Sequence, residues 1–537
     1  MESKHMLTKR RSLLCLVVLL ALSAVLESVV AFKMSITSDE SQHLRYGMHI
    51  LHRRPDRHFE GNYDSMMPIS ALNAAPGVIA PFLQRHHFSP RLCAVLSGLR
   101  VARLPTVLAA LALNLLVYVW AYDLYGAGPA LAACLLCILS PNLIAHGTLV
   151  TTDMYHAVGV IGSLYLFRRF LLQPTLAHSI CSGLALALAQ ITKPFALFLY
   201  AVVFLALALA VFRHRLPGSL TPKRLLLFMV ISAASFVAIT NIVYSFDRTF
   251  TRLGSYRFES VFFTRLQQTP LLRKIPVPFP YPFLQGLDRT KQNEQTGRSF
   301  GNIYLLGELG DSQSQSFHGF KSYYAVALFF KEPIPLQVLF LWGLVWMWKN
   351  RRFDAFLSGE GLLLMAAAIL FIWFSFFSRA QIGIRHILPA LAVETVIAAA
   401  AFSQLASMSR AKRASLAFLV LWLGVSVASY YPQMIPYMNE WVHDRRLSYK
   451  VLADSNLDWG QDTAVAEEFL RKNPDVVLNP GKLVAGRILV NANRLTGVDR
   501  WHPSESFLAK RYRPVTQVGY AHFLFDVPER DIASPPH

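Results

Sequence analysis

The sequence predicts a polytopic α-helical membrane protein with a small α/β unit at its C-terminal end. Three observations lead there. Of 537 residues, 54% are hydrophobic and 16% charged, whereas an ordinary soluble chain carries about a quarter charged residues. The apolar residues come in runs of about twenty, the length that crosses a bilayer. The cations gather in short segments that alternate along the chain. A spanning segment must satisfy its own backbone hydrogen bonds in lipid, which a helix does.

About eleven spans are predicted, near 12–32, 102–122, 127–145, 152–171, 177–192, 195–212, 224–244, 333–348, 360–377, 386–404 and 413–431. The first is apolar except for Glu27. It is too long for a signal peptide, and Phe32-Lys33-Met34 lacks the small residues of a cleavage site. The fifth and sixth form a tight pair broken at Lys193-Pro194, where proline removes a helix donor.

Orientation follows from charge. Lys4, Lys9, Arg10 and Arg11 precede the first span. Alternate short loops then carry Arg168-Arg169; Arg213, Arg215, Lys223 and Arg224; Lys349, Arg351 and Arg352; and Arg410, Lys412 and Arg413. An eleven-span count puts all of them on one side, the cytoplasm. The formal net charge of +20 is thereby a matter of membrane orientation, and no nucleic-acid partner is expected. Five cysteines lie in or beside apolar runs, which argues against a disulfide framework. No Asn-x-Ser/Thr sequon occurs, which fits a bacterial plasma membrane.

Residues 1–431 are read as the membrane domain, with outer segments 33–101 and 245–332, and 432–537 as an extracytoplasmic α/β domain. The outer segments should hold short interfacial helices, one containing Ala71 to Phe82, and an extended proline-rich stretch from Ile275 to Phe283. The tail alternates strand and helix: strands at Tyr449 to Ala453, Gly486 to Ala492 and Tyr520 to Val527, and helices at Thr463 to Lys472 and Ser504 to Tyr512.

The polar residues can then be placed in depth. Asp39-Glu40 follow the first span, Arg103 opens the second, and Asp153 opens the fourth. Lys193 sits at the turn of the fifth and sixth, Lys331 precedes the eighth, and Arg385-His386 open the tenth. All fall in the outer layer, on different helices. Each cation taken singly suits snorkelling at a helix end. Together they suit a phosphate at headgroup level, and the acids suit proton transfer. That combination fits group transfer from a phosphate-linked lipid to a hydroxyl.

At these residues the chain resembles the polyprenyl-phosphate-sugar-dependent glycosyltransferases of the C-type (GT-C) superfold, particularly protein O-mannosyltransferases and lipid A aminoarabinose transferases. The acidic pair Asp39-Glu40, the basic residue Arg103 (or Arg100), and the pattern from Ser140-Pro141 through Ala145-His146 to Thr152-Asp153 carry the likeness. A bacterial branch shares Gly383 to Pro389 and the string Asp454-Ser-Asn-Leu-Asp-Trp-Gly-Gln-Asp462. The resemblance implies an inverting transfer at the outer face, from a polyprenyl-phosphate-linked sugar to a hydroxyl-bearing acceptor. Asp39 would be the general base, with Glu40 orienting a substrate and Asp153 supporting. Arg103, Lys193, Lys331, Arg385 and His386 would meet the lipid phosphate. Asp454, Asn456, Asp458, Trp459 and Gln461 would contact acceptor or sugar, or their residue string would cap a helix. The scheme requires no metal, and a divalent cation on Asp454, Asp458 and Asp462 is an alternative reading of the string. A transporter of lipid-linked substrates, or a catalytically silent protein on the same fold, is the competing function.

Overall fold

The computed structural model describes residues 2–55, 66–212, 220–352 and 359–533. Arg213 and Arg215, read above as part of a cytoplasmic loop, lie outside the described residues. In the N-terminal half, α1 (Glu2–Lys33) is followed by α2 (Glu40–Leu51), α3 (Ala71–Arg85) and α4 (Pro90–Leu96). Next come α5 (Leu99–Tyr125), α6 (Ala127–Ile138), α7 (Pro141–Gly147), α8 (Asp153–Leu172), α9 (Leu176–Ala189), α10 (Phe198–Phe212) and α11 (Pro222–Val243). After these run α12 (Val261–Gln268), α13 (Tyr281–Thr296), α14 (Tyr323–Lys331), α15 (Ile334–Lys349), α16 (Gly361–Phe376), α17 (Leu388–Ala398) and α18 (Arg410–Ala428).

Helices stand in each interval read as a span. Among the described residues, six are long and apolar enough to cross a bilayer alone, and eight if two bent pairs each count as one. The bent pairs are α6 with α7, at 65°, and α14 with α15, at 109°. Each break falls before a proline, Pro141 and Pro333, which cannot donate to the preceding turn. Helices α9 and α16 are apolar but shorter.

Helix α1 shows how an all-apolar sequence chooses a face. Leu16, Ser23, Glu27, Val30 and Ala31 are buried at helical spacing, while Leu13, Leu14, Val17, Val18 and Val25 are exposed, as suits lipid. The buried stripe includes a polar bridge. Asn114 Nδ2 donates to Ser23 Oγ at 2.9 Å, and Ser23 Oγ donates to Glu27 Oε1 at 3.0 Å. Close approach elsewhere needs small residues: a Cβ on Gly343 of α15 would stand 2.1 Å from the Ile397 carbonyl oxygen of α17.

The expected helix around Ala71 to Phe82 is α3. The proline-rich stretch is extended only as far as Pro280, because Tyr281 to Phe283 open α13 with Pro282 in its first turn, a position where the missing N–H costs nothing.

In the C-terminal part, α19 (Thr463–Lys472), α20 (Ala492–Thr496), α21 (Ser506–Arg511) and α22 (Arg530–Ala533) accompany a four-stranded sheet. Counting a small hairpin of β1 (Ile303–Leu305) and β2 (Glu308–Gly310), its strands are β3 (Val477–Leu478), β4 (Gly486–Asn491), β5 (Thr516–Val518) and β6 (His522–Val527). They are ordered β3-β4-β6-β5, with β3 parallel to β4 and the other pairs antiparallel. The strand expected at Tyr449 to Ala453 is absent. Asp444 Oδ1 accepts from Arg446 N at 3.1 Å and starts a 3-10 turn over Arg445–Lys450. The segment meets the β1 hairpin at a single bridge, Leu452 to Leu305, with Leu306 N donating to the Val451 carbonyl at 2.9 Å, and the buried Tyr449 ring packs on Phe523.

Candidate active site

Four chain segments that emerge at the same end of the membrane helices meet at a cavity of about 190 Å³. Asp39 and His43 come from the start of α2, and Asp153 and His156 from the first turn of α8. Lys193 comes from the turn between α9 and α10, and Arg385-His386 from a 3-10 turn that leads into α17. Thr290 and Glu294 of α13, with Phe300 after it, form another wall, and Phe195, Phe374, Ala380 and Ile382 supply an apolar one.

The cavity holds an alternating charge chain. Arg385 Nη1 donates to Asp39 Oδ2 at 2.9 Å and lies 4.0 Å from Asp153 Oδ2. Lys193 Nζ donates to Asp153 Oδ1. Asp39 is the more open of the two carboxylates, its side chain 28% exposed against 2% for Asp153. Arg385 Nε, His386 Nε2 and His156 Nε2 are buried without a hydrogen-bond partner among the described residues. Such atoms call for an explanation, and three of them around one cavity suit a ligand that carries oxygen acceptors. Burial lowers the His43 imidazole below its ordinary pKa, against the pull of Asp39 and Asp153.

Arg385 is held from behind by the string 454–462. Its guanidinium lies 4.2 Å from the Trp459 ring centroid, a cation–π contact. Asn456 Oδ1 accepts from Ile384 N at 3.0 Å, and Ser455 Oγ donates to the Ile382 carbonyl. Gly383 between them has φ +154°, and a Cβ there would stand 2.2 Å from Ser455 Oγ. Glycine is therefore required for this approach.

Several of the expected site residues lie behind the cavity, held by other parts of the chain. Glu40 is fully buried and does not line the cavity. It accepts from Thr37 N and Val150 N, both at 2.9 Å, and from Arg103 Nε at 2.8 Å and Nη2 at 2.6 Å. The remaining donors of Arg103 go to the carbonyls of Ala31, Met34 and Ser35, and it does not line the cavity. Lys331 likewise donates to the Ile435 and Asn456 carbonyls at 2.6 and 2.7 Å, away from the cavity. In these contacts Arg103 ties the loop before Asp39 to α5, and Lys331 ties the string behind Arg385 to α14.

Asp454, Asn456, Asp458, Trp459 and Gln461 also stand outside the cavity lining. Gln461 Oε1 accepts from Trp459 N at 2.7 Å, and its carbonyl accepts from Ser35 N at 2.9 Å. The three aspartates do not converge. Asp454 accepts from Ser455 N, Asp458 from Gly460 N and Asp462 from Ala521 N. Among the described residues no three His, Cys, Asp or Glu side chains are grouped to hold a metal ion.

The residues that sequence reasoning missed are His43, His156 and Glu294. His43 is four positions after Asp39 and His156 three after Asp153, spacings that share a helix face, so both were open to detection. Glu294 accepts from Ser378 Oγ at 2.6 Å and Arg379 N at 2.8 Å and had no local signal.

Residues 91–241 match the family model described as dolichyl-phosphate-mannose-protein mannosyltransferase. The chain is similar to the C-type glycosyltransferases. The matched stretch includes Arg103, Asp153 and Lys193 but neither Asp39 nor Arg385. Among solved structures, ArnT from Cupriavidus metallidurans in the apo state aligns with a TM-score of 0.37 and 14% identity, over 78% of this chain and 64% of that one. The same protein bound to undecaprenyl phosphate aligns with a TM-score of 0.29 and 12% identity, over 95% and 97%. The archaeal oligosaccharyltransferase AglB from Archaeoglobus fulgidus, in complex with an inhibitory peptide and a dolichol-phosphate, aligns with a TM-score of 0.47 and 13% identity. That alignment covers 85% of this chain and 59% of AglB. The chain thus spans less than two thirds of the apo ArnT and AglB chains. Comparison with curated proteins gave no match.

Proposed function

We propose that this chain transfers a sugar from a polyprenyl-phosphate-linked donor to a hydroxyl-bearing acceptor, with inversion, at the outer face of a bacterial plasma membrane. In this reading the N-terminus is cytoplasmic and the region after Tyr431 is outside. The observation that carries the reading is the cavity itself, where the half-open Asp39 faces Arg385 beside Lys193 and two histidines with unpartnered nitrogens. The mannosyltransferase description of the matched stretch supports a lipid-phosphate donor.

The chemistry balances on these residues. The acceptor oxygen forms a bond to the sugar's anomeric carbon while the bond from that carbon to the phosphate oxygen breaks. The acceptor proton passes to Asp39. The leaving lipid phosphate carries away negative charge, which Arg385 and Lys193 offset. Arg385 is paired with Asp39 before substrate arrives, so phosphate binding draws the guanidinium toward a second anion and frees Asp39 to act as base. Asp153 positions Lys193 and shares Arg385, and His386 and His156 offer nitrogens to donor oxygens.

The test is transfer by the purified protein supplied with a panel of radiolabelled polyprenyl-phosphate sugars and hydroxyl acceptors. Turnover of one donor, abolished in Lys193→Ala and in Arg385→Ala proteins that remain folded, supports the reading. Unchanged donor kinetics in both variants would exclude the phosphate site.

A further inference from the structure

We propose that residues 245–276, which follow α11, form a docking surface for the anionic phospholipid headgroups of the bilayer that the chain spans. The inference is independent of the transfer reading.

The segment is a small knot with two unlike faces. Its ends pair through Leu253 N to the Ile275 carbonyl at 3.0 Å and Val277 N to the Thr251 carbonyl at 3.0 Å. Gln267 Nε2 ties the middle down by donating to the Leu253 and Tyr256 carbonyls at 3.1 and 2.7 Å. The inner face is a conventional core. Tyr256 stacks on Tyr281 at 4.4 Å and on Phe258 at 5.1 Å, and the same cluster takes in Tyr46 and Ile50 of α2 and Leu284 of α13.

The outer face has apolar residues that this core does not use. Phe246 is 62% exposed, Phe262 53%, Leu271 78% and Ile275 46%. On α12, Val261, Phe262 and Arg265 share the exposed side while Phe263 and Leu266 turn inward. An exposed apolar patch of this kind on a soluble surface would mark an interaction site. Here it begins at Phe246, three residues after a membrane span whose own flank is exposed and apolar, including Leu226, Val230 and Ile242. The lipid-facing surface of α11 therefore runs on into the knot.

Charge decides which lipid. The segment holds six cations and two acids. Asp247 is paired with Arg248 at 3.2 Å and Glu259 with Arg289. That leaves Arg252, Arg257, Arg265, Arg273 and Lys274, all exposed, interleaved with the apolar side chains. Cations flanking an apolar face are the signature of an interfacial element that reads anionic headgroups. The knot packs on α2 and α13, the two helices that bring Asp39, His43 and Glu294 to the cavity, so a headgroup bound outside is one packed layer from the site.

The experiment compares the full-length protein in nanodiscs of phosphatidylcholine with nanodiscs in which phosphatidylglycerol is mixed, reading backbone hydrogen exchange over 261–275. The expected result is added protection in the anionic discs, reduced by salt and lost in an Arg265→Gln, Arg273→Gln, Lys274→Gln variant. Each cation removed should weaken the phosphatidylglycerol dependence by roughly fivefold. A Phe262→Ser, Leu271→Ser variant should lose protection in both disc types. Unchanged exchange in α11 and α13 establishes that the variants are folded. Equal protection in the two disc types, or protection that survives the triple substitution, would overturn the proposal. So would protection that appears only when a soluble acidic protein is added, since the surface would then belong to a different partner.

Discussion

Asp39 and Glu40 are neighbours in sequence and opposites in structure. Each faces an arginine from a distant helix, Arg385 and Arg103. Glu40 and Arg103 are 0% and 1% exposed, and each other hydrogen-bonding position of the guanidinium is filled by a backbone carbonyl. Asp39 makes one ion pair, keeps 28% exposure and borders a cavity with unpartnered polar atoms. A saturated pair has nothing left to offer a substrate. An unsaturated pair costs stability unless a ligand completes it. The difference separates brace from candidate chemistry more sharply than residue type or depth does.

The largest expected effect tests the unsaturated pair. Asp39→Asn keeps the shape and part of the hydrogen bonding but cannot take the acceptor proton. Turnover should fall by roughly 10²–10⁴-fold, with little change in thermal stability. Full activity of a folded Asp39→Asn protein, measured with its own donor and acceptor, would falsify the assignment of Asp39 as base.

The saturated pair should behave in reverse. Glu40→Gln leaves a buried guanidinium without its counter-charge, a change that costs on the order of 3–5 kcal/mol. Thermal unfolding should record the loss, while turnover per folded molecule stays near that of the parent. A large fall in turnover with unchanged stability would instead place Glu40 in the chemistry.

A third substitution reaches Arg385 through its backbone. Gly383→Ala places a Cβ against Ser455 Oγ at φ +154° and should cost about 1–3 kcal/mol of strain. Because the strained residue is two positions from Arg385, donor use should weaken along with stability. Intact donor kinetics would show that the seat formed by residues 454–462 does not matter to Arg385.

The sequence placed Asp39, Asp153, Lys193, Arg385 and His386 at same-side ends of apolar runs, and the structure brings them together from four segments. Charge asymmetry and span spacing carry that information. What they do not carry is the partner each group finds at that depth. Arg103 and Lys331 have the same helix-end signature as Lys193 and Arg385, yet backbone carbonyls from distant segments capture them. Loop carbonyls have no sequence signature, so braces and ligands looked alike. The string from Asp454 to Asp462 suffered the same way, because its polar residues spend themselves on the backbone of Ser35, Ile382 and Ile384. The misread strand at Tyr449 is a local error, since Asp444 as a cap for the 3-10 turn was in plain view.

The smallest effect concerns that string as a brace and comes from pH. Burial is the main cause that raises the Asp458 carboxyl to about 6, with the Asp462 charge adding to the rise and His522 opposing it. An unfolded Asp titrates near roughly 3.9. A folded value above the unfolded one means that the native state prefers the protonated form. Its contribution to stability is then full below about pH 4 and is lost as pH rises through about 6. Asp458→Asn removes that loss and can still accept from Gly460 N. The variant should gain about 1–3 kcal/mol over the parent at pH 7.5 and nothing at pH 4. Thermal unfolding across that range measures it. Turnover at neutral pH should be unchanged, because Asp458 touches the loop and not the cavity. Parallel stability curves would show that Asp458 is buried without penalty. A loss of turnover at equal stability would move residues 454–462 from the braced side of the comparison to the reacting side.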